Sequence, residues 1–348
     1  MTSSILFAAV TATSATKTLQ ISPPPPPKLI LSPPQDTQTK EEREAAFYRK
    51  RETRVNPYKY HIVVQPWTMC ANNTFMVILV HSHHPHADRR AAIRDTWASY
   101  VRDPTAWPAA AAAAAAGGLT LAGRAATVRL KLAFVFGLHK DPGMNDLVRE
   151  ENQRYDDVIQ GDFFDAYSNM TLKSLLGLKY VSERCPAVRY LLKCDDDMFI
   201  NVPYLVDALL QRPLNRSVLG PLNLGSRVYR NGKWKLTMAE YPFETYPPYE
   251  SGAAYVISGD VIGELFAVAE YVPPIHIDDV YVTGILGRII GLQHERRMGF
   301  AYWTDRAPDA CDVIHNRIFS GTKMLPETMR SMWEELKRGK TCPVSETS

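Results

Sequence analysis

Four apolar segments of strand length alternate with helical patterns between residues 75 and 192. The first segment, Phe75–Val80, is followed by a helical pattern that opens at Asp88 and repeats apolar residues every four positions. The other predicted strands are Leu130–Phe136, Asp157–Gln160 and Val188–Leu192. Because parallel strands need crossover connections, this order predicts an α/β fold with a mostly parallel central sheet flanked by helices.

The first sixty residues differ in composition from the rest of the chain. They contain five consecutive prolines, Pro23–Pro27, and a charged stretch, Lys40–Arg54, with little apolar periodicity. We expect residues 1–60 to form a largely disordered tail or stem and residues 61–348 to form a single domain. The eight alanines Ala109–Ala116 lie in what we interpret as a surface insertion at residues 106–124.

The charge balance and the apolar runs limit the class of partner. The chain has 40 Lys and Arg against 37 Asp and Glu, and the part after residue 60 is nearly neutral, so no nucleic-acid partner is expected. The longest apolar run near the start, Ile5–Val10, is far shorter than the roughly 20 residues of a spanning helix. We therefore predict no membrane anchor in this sequence, and we expect its start to be truncated, to come from a splice form or to be misassigned.

The cysteines and the glycosylation sequons indicate the compartment. Five cysteines lie far apart without a Cys-x-x-Cys pair, which disfavours a zinc site. Cys185 and Cys194 flank a predicted strand, and an extended chain of that length, roughly 30 Å, excludes a bond between them. Other pairings stay open. Sequons begin at Asn72, Asn169 and Asn215, which favours the secretory pathway, with glycans expected at Asn72 or Asn215.

Three consecutive aspartates, Asp195–Asp197, stand at the end of the fourth predicted strand. Ligands of open α/β sheets bind at this carboxyl edge, and adjacent carboxylates are tolerated there if water or a cation reaches them. Alternate side chains of an extended chain point the same way, so Asp195 and Asp197 can share a divalent ion while Asp196 faces elsewhere. Oxygen ligands suit Mg²⁺ or Mn²⁺, which would bridge them to a diphosphate. A solvated acidic turn or a helix cap is the alternative.

A second acidic pair, Asp278–Asp279, opens the helical pattern Val280–Ile289. Capping and the helix dipole alone favour acids at such a position. The order of motifs favours another interpretation, in which one carboxylate near Ser251–Tyr255 is the general base of an inverting group transfer. Arg90 and Arg94 share a helix face, which suits a phosphate or a carboxylate as well as plain solvation.

Six segments resemble, in order, the motifs of glycosyltransferase family 31, the β-1,3-galactosyltransferases and β-1,3-N-acetylglucosaminyltransferases. They are RRAAIRDTW (89–97), FVFG (134–137), ENQRYDDVIQGDFFDAYSNMTLKSL (151–175), YLLKCDDDMFINV (190–202), YPPYESGAAYVIS (246–258) and IHIDDVYVTG (275–284). The resemblance implies a GT-A-like nucleotide-sugar-binding fold and a type II membrane protein of the Golgi lumen. It also implies transfer of a hexose from a UDP-sugar to the 3-hydroxyl of an acceptor sugar on protein or lipid, with inversion and Mn²⁺.

The resemblance further implies the residues of the site. The catalytic base is Asp279, in the place of the aspartate of the family's Glu-Asp-Val motif. The metal ligands are Asp195, Asp197 and His315. The donor-binding residues are Arg90, Arg94, Lys173, Asp195 and Asp196, and the acceptor-binding residues are Gly252, Tyr255 and Asp278.

The sequence departs from the family pattern at two of its motifs. Asp278 stands where the family usually has Glu, and Glu250 stands where several members carry Cys, so one disulfide of the family is expected to be missing. UDP-galactose is the leading donor and UDP-N-acetylglucosamine the alternative, because both subgroups share these motifs. A catalytically silent, lectin-like member is a further alternative. An aspartyl phosphohydrolase is disfavoured, because Phe199 replaces the Thr expected after Asp-x-Asp.

Overall fold

An eight-stranded sheet forms the centre of the computed structural model, which describes residues 39–68, 70–108, 128–300 and 306–343. In chain order the strands, including four that lie outside this sheet, are β1 (Ile62–Val64), β2 (Thr74–His81), β3 (Arg129–Leu138), β4 (Val158–Phe164), β5 (Tyr190–Asp195), β6 (Phe199–Ile200), β7 (Ser217–Leu219), β8 (Leu222–Asn223), β9 (Tyr249–Glu250), β10 (Ala254–Ser258), β11 (Gln293–Glu295) and β12 (Ser320–Gly321).

The helices connect these strands and cover both faces of the sheet. In chain order they are α1 (Lys40–Phe47), α2 (Ala87–Asp95), α3 (Ser99–Arg102), α4 (Pro142–Tyr155), α5 (Met170–Arg184), α6 (Val202–Gln211), α7 (Ile262–Ala269), a π-helix (Val280–Leu286), α8 (Gly287–Ile290), α9 (Ala310–Ile314) and α10 (Pro326–Lys337). The helix predicted over Val280–Ile289 is therefore present. Its first part, Val280–Leu286, is a π-helix, and its second part, Gly287–Ile290, is an α-helix.

The strand order is β1-β4-β3-β2-β5-β10-β7-β11. The four strands predicted from the sequence are β2 to β5, and they pair in parallel in the middle of the sheet. Strand β10 runs antiparallel to both β5 and β7, and β11 pairs in parallel with β7. The predicted α/β fold with a mostly parallel central sheet flanked by helices is confirmed.

The core lies on both faces of the sheet. Along β2 every residue is buried, with Met76, Ile78 and Val80 in one apolar cluster and Val77 and Leu79 in the other. Such a continuous apolar run is typical of a parallel strand that is covered on both sides. Helices α2, α6 and α10 pack on the first face, and α5, α7 and the π-helix pack on the second.

Two disulfides tie peripheral segments to this frame. Cys70, just before β2, is bonded to Cys185 after α5, and Cys311 in α9 is bonded to Cys342 after α10. Cys194 in β5 is a free, buried thiol. The exclusion of a bond between Cys185 and Cys194 is confirmed.

Two described segments lie next to the predicted boundaries. The compact unit that contains the sheet includes the residues from Glu44 onward, and Tyr58 and Tyr60 pack against its core. Trp107, within the predicted insertion at 106–124, is buried against Trp333. The domain boundaries stay predictions. Most of the tail (1–38) and of the insertion (109–124) lies outside the described residues. Within the described residues, none of the helices combines the length and the apolarity needed to cross a membrane.

Candidate active site

The middle one of the three aspartates at the end of β5 is turned inward, and its two neighbours are partly exposed. Asp196 is buried and accepts hydrogen bonds from Ser82 Oγ at 2.7 Å and from Arg89 Nη1 at 3.1 Å, with His86 Nδ1 2.8 Å away. The side chains of Asp195 and Asp197 are each 40% exposed. The alternation expected of extended chain is therefore present, with the middle carboxylate held inside and its neighbours open to solvent.

Lys193 lies beneath Asp195 and was not singled out by the sequence analysis. Its buried ammonium group is 2.8 Å from Asp195 Oδ1 and 3.9 Å from Asp278 Oδ2, and it donates to the Gly252 carbonyl. Loss of solvation raises the pKa of Asp195 to about 6, even though Lys193 opposes the shift. A lysine inside an apolar strand, two positions before an acid and thus on the same face, is a sequence signal for such a pair.

Asp279 sits at the start of the π-helix with both carboxylate oxygens held by the backbone. Oδ2 accepts from the Gly252 N–H and Oδ1 from the Val280 N–H, each at 2.8 Å. Burial, followed by the neighbouring Asp278 charge, raises the pKa of Asp279 to about 7 despite these bonds and Lys193. A carboxylate with this pKa is suited to accept a proton near neutral pH.

The structure brings Asp195 of the acidic turn and the pair Asp278–Asp279 into one cleft of about 650 Å³. Asp195, Gly252, Asp278 and Asp279 line it, and Asp278 is oriented by a 2.7 Å hydrogen bond from Ser174 Oγ. A Cβ on Gly252 would lie 3.2 Å from Asp279 Oδ2, so a side chain here would crowd the carboxylate. The remaining wall includes aromatic residues to which the sequence analysis gave no role: Tyr167, Tyr229, Trp234, Tyr246 and Tyr249. Tyr229 and Trp234 lie in a loop between β8 and β9 without a periodic pattern.

The three cations assigned to the donor side lie in the protein interior. Arg90 makes a two-pronged ion pair with Glu151 at 2.7 and 2.8 Å, and Arg94 makes another with Asp157 at the same distances. The Lys173 ammonium is 2.8 Å from both the Asp165 carboxylate and the Ser82 carbonyl. The structure does not bring these three side chains to the cleft.

Tyr255 lies behind the cleft rather than in it. Its position in β10 is opposite Lys193 in β5, and only 2% of the residue is exposed. Tyr255 is not among the residues that line the cleft. Its contact with an acceptor stays a prediction.

Three side chains of the predicted metal site differ in how well their chemistry suits a metal ion. Asp195 and Asp197 offer exposed carboxylate oxygens, which are the ligands that Mn²⁺ accepts. His315 follows α9, and its buried Nε2 finds no hydrogen-bond partner among the described residues, which leaves a nitrogen able to bind a metal. Within the same residues, however, no three His, Cys, Asp or Glu side chains are grouped around one point. The two carboxylates fit a hard divalent cation, and the role of His315 stays a prediction.

Comparison with known proteins places the chain in a family. Residues 88–297 match the model of the family described as Galactosyltransferase. Beta-1,3-galactosyltransferase 1 of Mus musculus is 29% identical over 291 residues, which cover 82% of this chain and 81% of that protein. Beta-1,3-galactosyltransferase 5 of Homo sapiens is 33% identical over 278 residues, covering 77% and 81%.

A solved glycosyltransferase involved in the glycosylation of the major capsid of PBCV-1 covers 76% of this chain and 99% of its own, at 10% identity and a TM-score of 0.37. A score this low supports no conclusion about the chain. The sequence match does, because it spans more than half of the residues and includes the strands and helices that build the cleft. The chain therefore belongs to the Galactosyltransferase family, and its α/β domain carries the family match.

Proposed function

We propose that the protein is an inverting β-1,3-galactosyltransferase that moves galactose from UDP-galactose to the 3-hydroxyl of an acceptor sugar. One observation carries the proposal: Asp279, with a pKa of about 7, shares a cleft with Asp195 at the carboxyl end of β5. Such a transfer needs a base that accepts the proton of the acceptor hydroxyl and a carboxylate on the side of the donor diphosphate. The names of the relatives favour galactose over N-acetylglucosamine as the transferred sugar.

In the proposed reaction Asp279 acts as the general base. Its carboxylate accepts the proton of the acceptor 3-hydroxyl while that oxygen forms a bond to the anomeric carbon of galactose. The bond from that carbon to the diphosphate breaks on the opposite face, and UDP leaves with the electron pair, which inverts the anomeric configuration. The Gly252 and Val280 N–H groups hold the Asp279 carboxylate in place for this step.

Asp195 and Asp197 are the residues that would hold Mn²⁺ on the diphosphate side. A bound Mn²⁺ would offset the negative charge that develops on the leaving UDP. His315 is proposed as a further ligand. Asp196 fixes the turn through Ser82, His86 and Arg89, and this holds its two neighbours outward.

The buried cations are proposed to hold the acidic turn Asp195–Asp197 in position from the protein interior. Lys173 binds the Ser82 carbonyl while the Ser82 hydroxyl binds Asp196, which links the interior to the acidic turn. Arg90 also donates to Ser82 Oγ, at 3.2 Å. These contacts support positioning of the turn, and direct contact of Arg90, Arg94 or Lys173 with the donor stays a prediction.

We further propose that the enzyme works in the Golgi lumen, as a type II membrane protein. Two disulfides, Cys70–Cys185 and Cys311–Cys342, suit an oxidising compartment. Asn72 and Asn215 are exposed, so both sequons are open to glycosylation. The mass of the secreted protein before and after glycosidase treatment tests whether it passes through the secretory pathway. Absence of glycan at both Asn72 and Asn215 would contradict this proposal.

A donor and acceptor panel tests the proposed function. Wild-type protein is incubated with UDP-galactose, UDP-N-acetylglucosamine or UDP-glucose and with simple β-glycosides, in Mn²⁺ or in EDTA. We expect transfer from UDP-galactose alone, loss of transfer in EDTA, and a β1→3 linkage by NMR. Preferred transfer of N-acetylglucosamine would overturn the donor assignment. Glycan binding without transfer from any donor would indicate the catalytically silent alternative.

A further inference from the structure

Two exposed aromatic side chains stand in the cleft wall that the mechanism above does not use. Tyr229 is 58% and Trp234 45% exposed, and their ring centroids are 6.0 Å apart at an angle of 43°. Both line the same cleft as Asp279. Large aromatic rings open to solvent beside a catalytic base need an explanation, because burying them elsewhere would stabilise the fold.

The loop that carries these rings is firmly held at its base. Arg227 bridges to Thr245, and the Val228 N–H donates to the Glu244 carbonyl at 2.8 Å. The Arg230 guanidinium then donates to four backbone carbonyls at 2.7–3.2 Å, those of Leu236, Thr237, Tyr241 and Phe243. The two rings are therefore exposed on an ordered support, which is how binding residues are kept ready for a ligand.

The tip of the loop reaches the opposite side of the cleft. Gly232 turns the chain with φ of +80°, a conformation that glycine adopts without strain. Lys233 Nζ then lies 4.3 Å from the ring centroid of Tyr167. The pKa of Tyr167 is raised to about 12 by burial and by the charges of Asp278 and Asp279. The loop tip thus contacts a ring close to the acidic pair.

We propose that Tyr229 and Trp234 form a stacking platform for the acceptor saccharide and set the acceptor preference of the enzyme. This inference rests on the proposed function. A pyranose presents C–H groups on one face, which pack on an aromatic ring, while its hydroxyl groups remain free for polar contacts. The expected ligand is a neutral pyranoside that stacks on the platform and directs its 3-hydroxyl to Asp279.

The location of the platform favours the acceptor over the uracil of the donor. A general base must lie within hydrogen-bonding reach of the hydroxyl that it deprotonates, so the acceptor ring occupies the part of the cleft that Asp279 lines. The acidic turn marks the diphosphate side: Asp195 lines the cleft that holds the aromatic rings, and Asp196 with its partners Ser82 and His86 lies outside that cleft. Arg230 does not line the cleft and holds the backbone of the loop, so it is a positioning residue for the platform.

Kinetics of Trp234→Ala and Tyr229→Ala with UDP-galactose and a β-glycoside acceptor test the platform. We expect the acceptor KM to rise about tenfold, equivalent to roughly 1.4 kcal/mol, while the KM for UDP-galactose and acceptor-free hydrolysis of UDP-galactose stay within twofold. Trp234→Phe, which keeps a ring, should recover part of the affinity. Trp67→Ala is the matched control, because Trp67 is 87% exposed but lines a separate cavity beside β1.

Arg230→Ala in the wild-type and Trp234→Ala backgrounds tests the positioning role. In the wild type it should raise the acceptor KM, and in the Trp234→Ala background it should add little, because the two changes act on the same ring. Unchanged acceptor KM in Trp234→Ala, or a higher KM for UDP-galactose alone, would overturn the platform while leaving the proposed function intact. A wild-type enzyme that transfers no galactose would instead overturn the proposed function itself.

Discussion

The charged side chains behind the acidic turn and those in the cleft differ in how they are neutralised. Behind the turn, each of Arg90, Arg94 and Lys173 is matched at 2.7–2.8 Å by a carboxylate. In the cleft, Asp195, Asp278 and Asp279 surround the ammonium of Lys193, which lies within 4 Å of two of them. The interior charges are paired one to one, whereas the three cleft acids share the ammonium of Lys193.

The two regions also differ in the direction of their pKa shifts. Burial alone would raise the pKa of Asp165 and of Glu151. Interactions with His83 and Lys173 outweigh burial at Asp165, and interactions with two arginines outweigh it at Glu151. The pKa values of both carboxyl groups are therefore lowered. In the cleft, burial and neighbouring acids raise the pKa of Asp195 and of Asp279. The paired charges therefore fix the shape of the site, and the cleft acids with raised pKa values remain available for a cation and a proton.

The largest expected effect comes from breaking a matched pair. Lys173→Met should lower the free energy of unfolding by about 3 kcal/mol, because it leaves the Asp165 carboxylate buried without its cation. Urea denaturation with intact disulfides measures this, and the double variant with Asp165→Asn should recover part of the loss. A variant of unchanged stability but weakened UDP-galactose binding would show instead that Lys173 acts on the donor, as the resemblance implies.

Removing the proposed base tests the cleft side of the comparison. Asp279→Asn keeps the size of the side chain but cannot accept the proton, so kcat should fall by about 100-fold or more. Binding of UDP, followed by calorimetry, should stay the same, because the Asp279 carboxylate is held by the backbone N–H groups of Gly252 and Val280 and not by residues of the acidic turn. Wild-type turnover in this variant would place the base elsewhere.

The sequence was informative where a regular pattern repeats. The parallel strands β2 to β5 were predicted because continuous apolar runs mark strands that are buried on both faces. Strands β7 and β11 have only three residues each and show no such pattern. Asp279 and Asp195 were found from the order of their motifs. Trp234 and Arg230 lie in a loop whose conformation depends on backbone contacts that no sequence period encodes.

The variant Asp197→Ala tests whether Asp197 is a ligand of the proposed metal ion. We expect the increase in UDP affinity that Mn²⁺ gives, about tenfold or more, to disappear, because an exposed carboxylate oxygen of the acidic turn is lost. Titration of UDP with and without Mn²⁺ measures it. Asp196→Asn is the informative partner variant, since Asp196 is turned inward and should affect the stability of the turn first. Metal-dependent binding that survives in Asp197→Ala would remove this residue from the proposed ligand set.

The smallest expected effect is a shift of the pH profile. Asp279 works as a base only when deprotonated, so kcat/KM should reach a plateau about one pH unit above the pKa of about 7 and fall about tenfold per pH unit well below it. Asp278→Asn removes a negative charge that raises this pKa, so the acidic limb should move to lower pH. A shift of about half a unit would raise the rate at pH 6, relative to the plateau, roughly threefold. Asp278→Glu keeps the charge and should leave the limb in place. If the limb does not move in Asp278→Asn while the plateau rate survives, a group other than the Asp278–Asp279 pair limits the reaction at low pH.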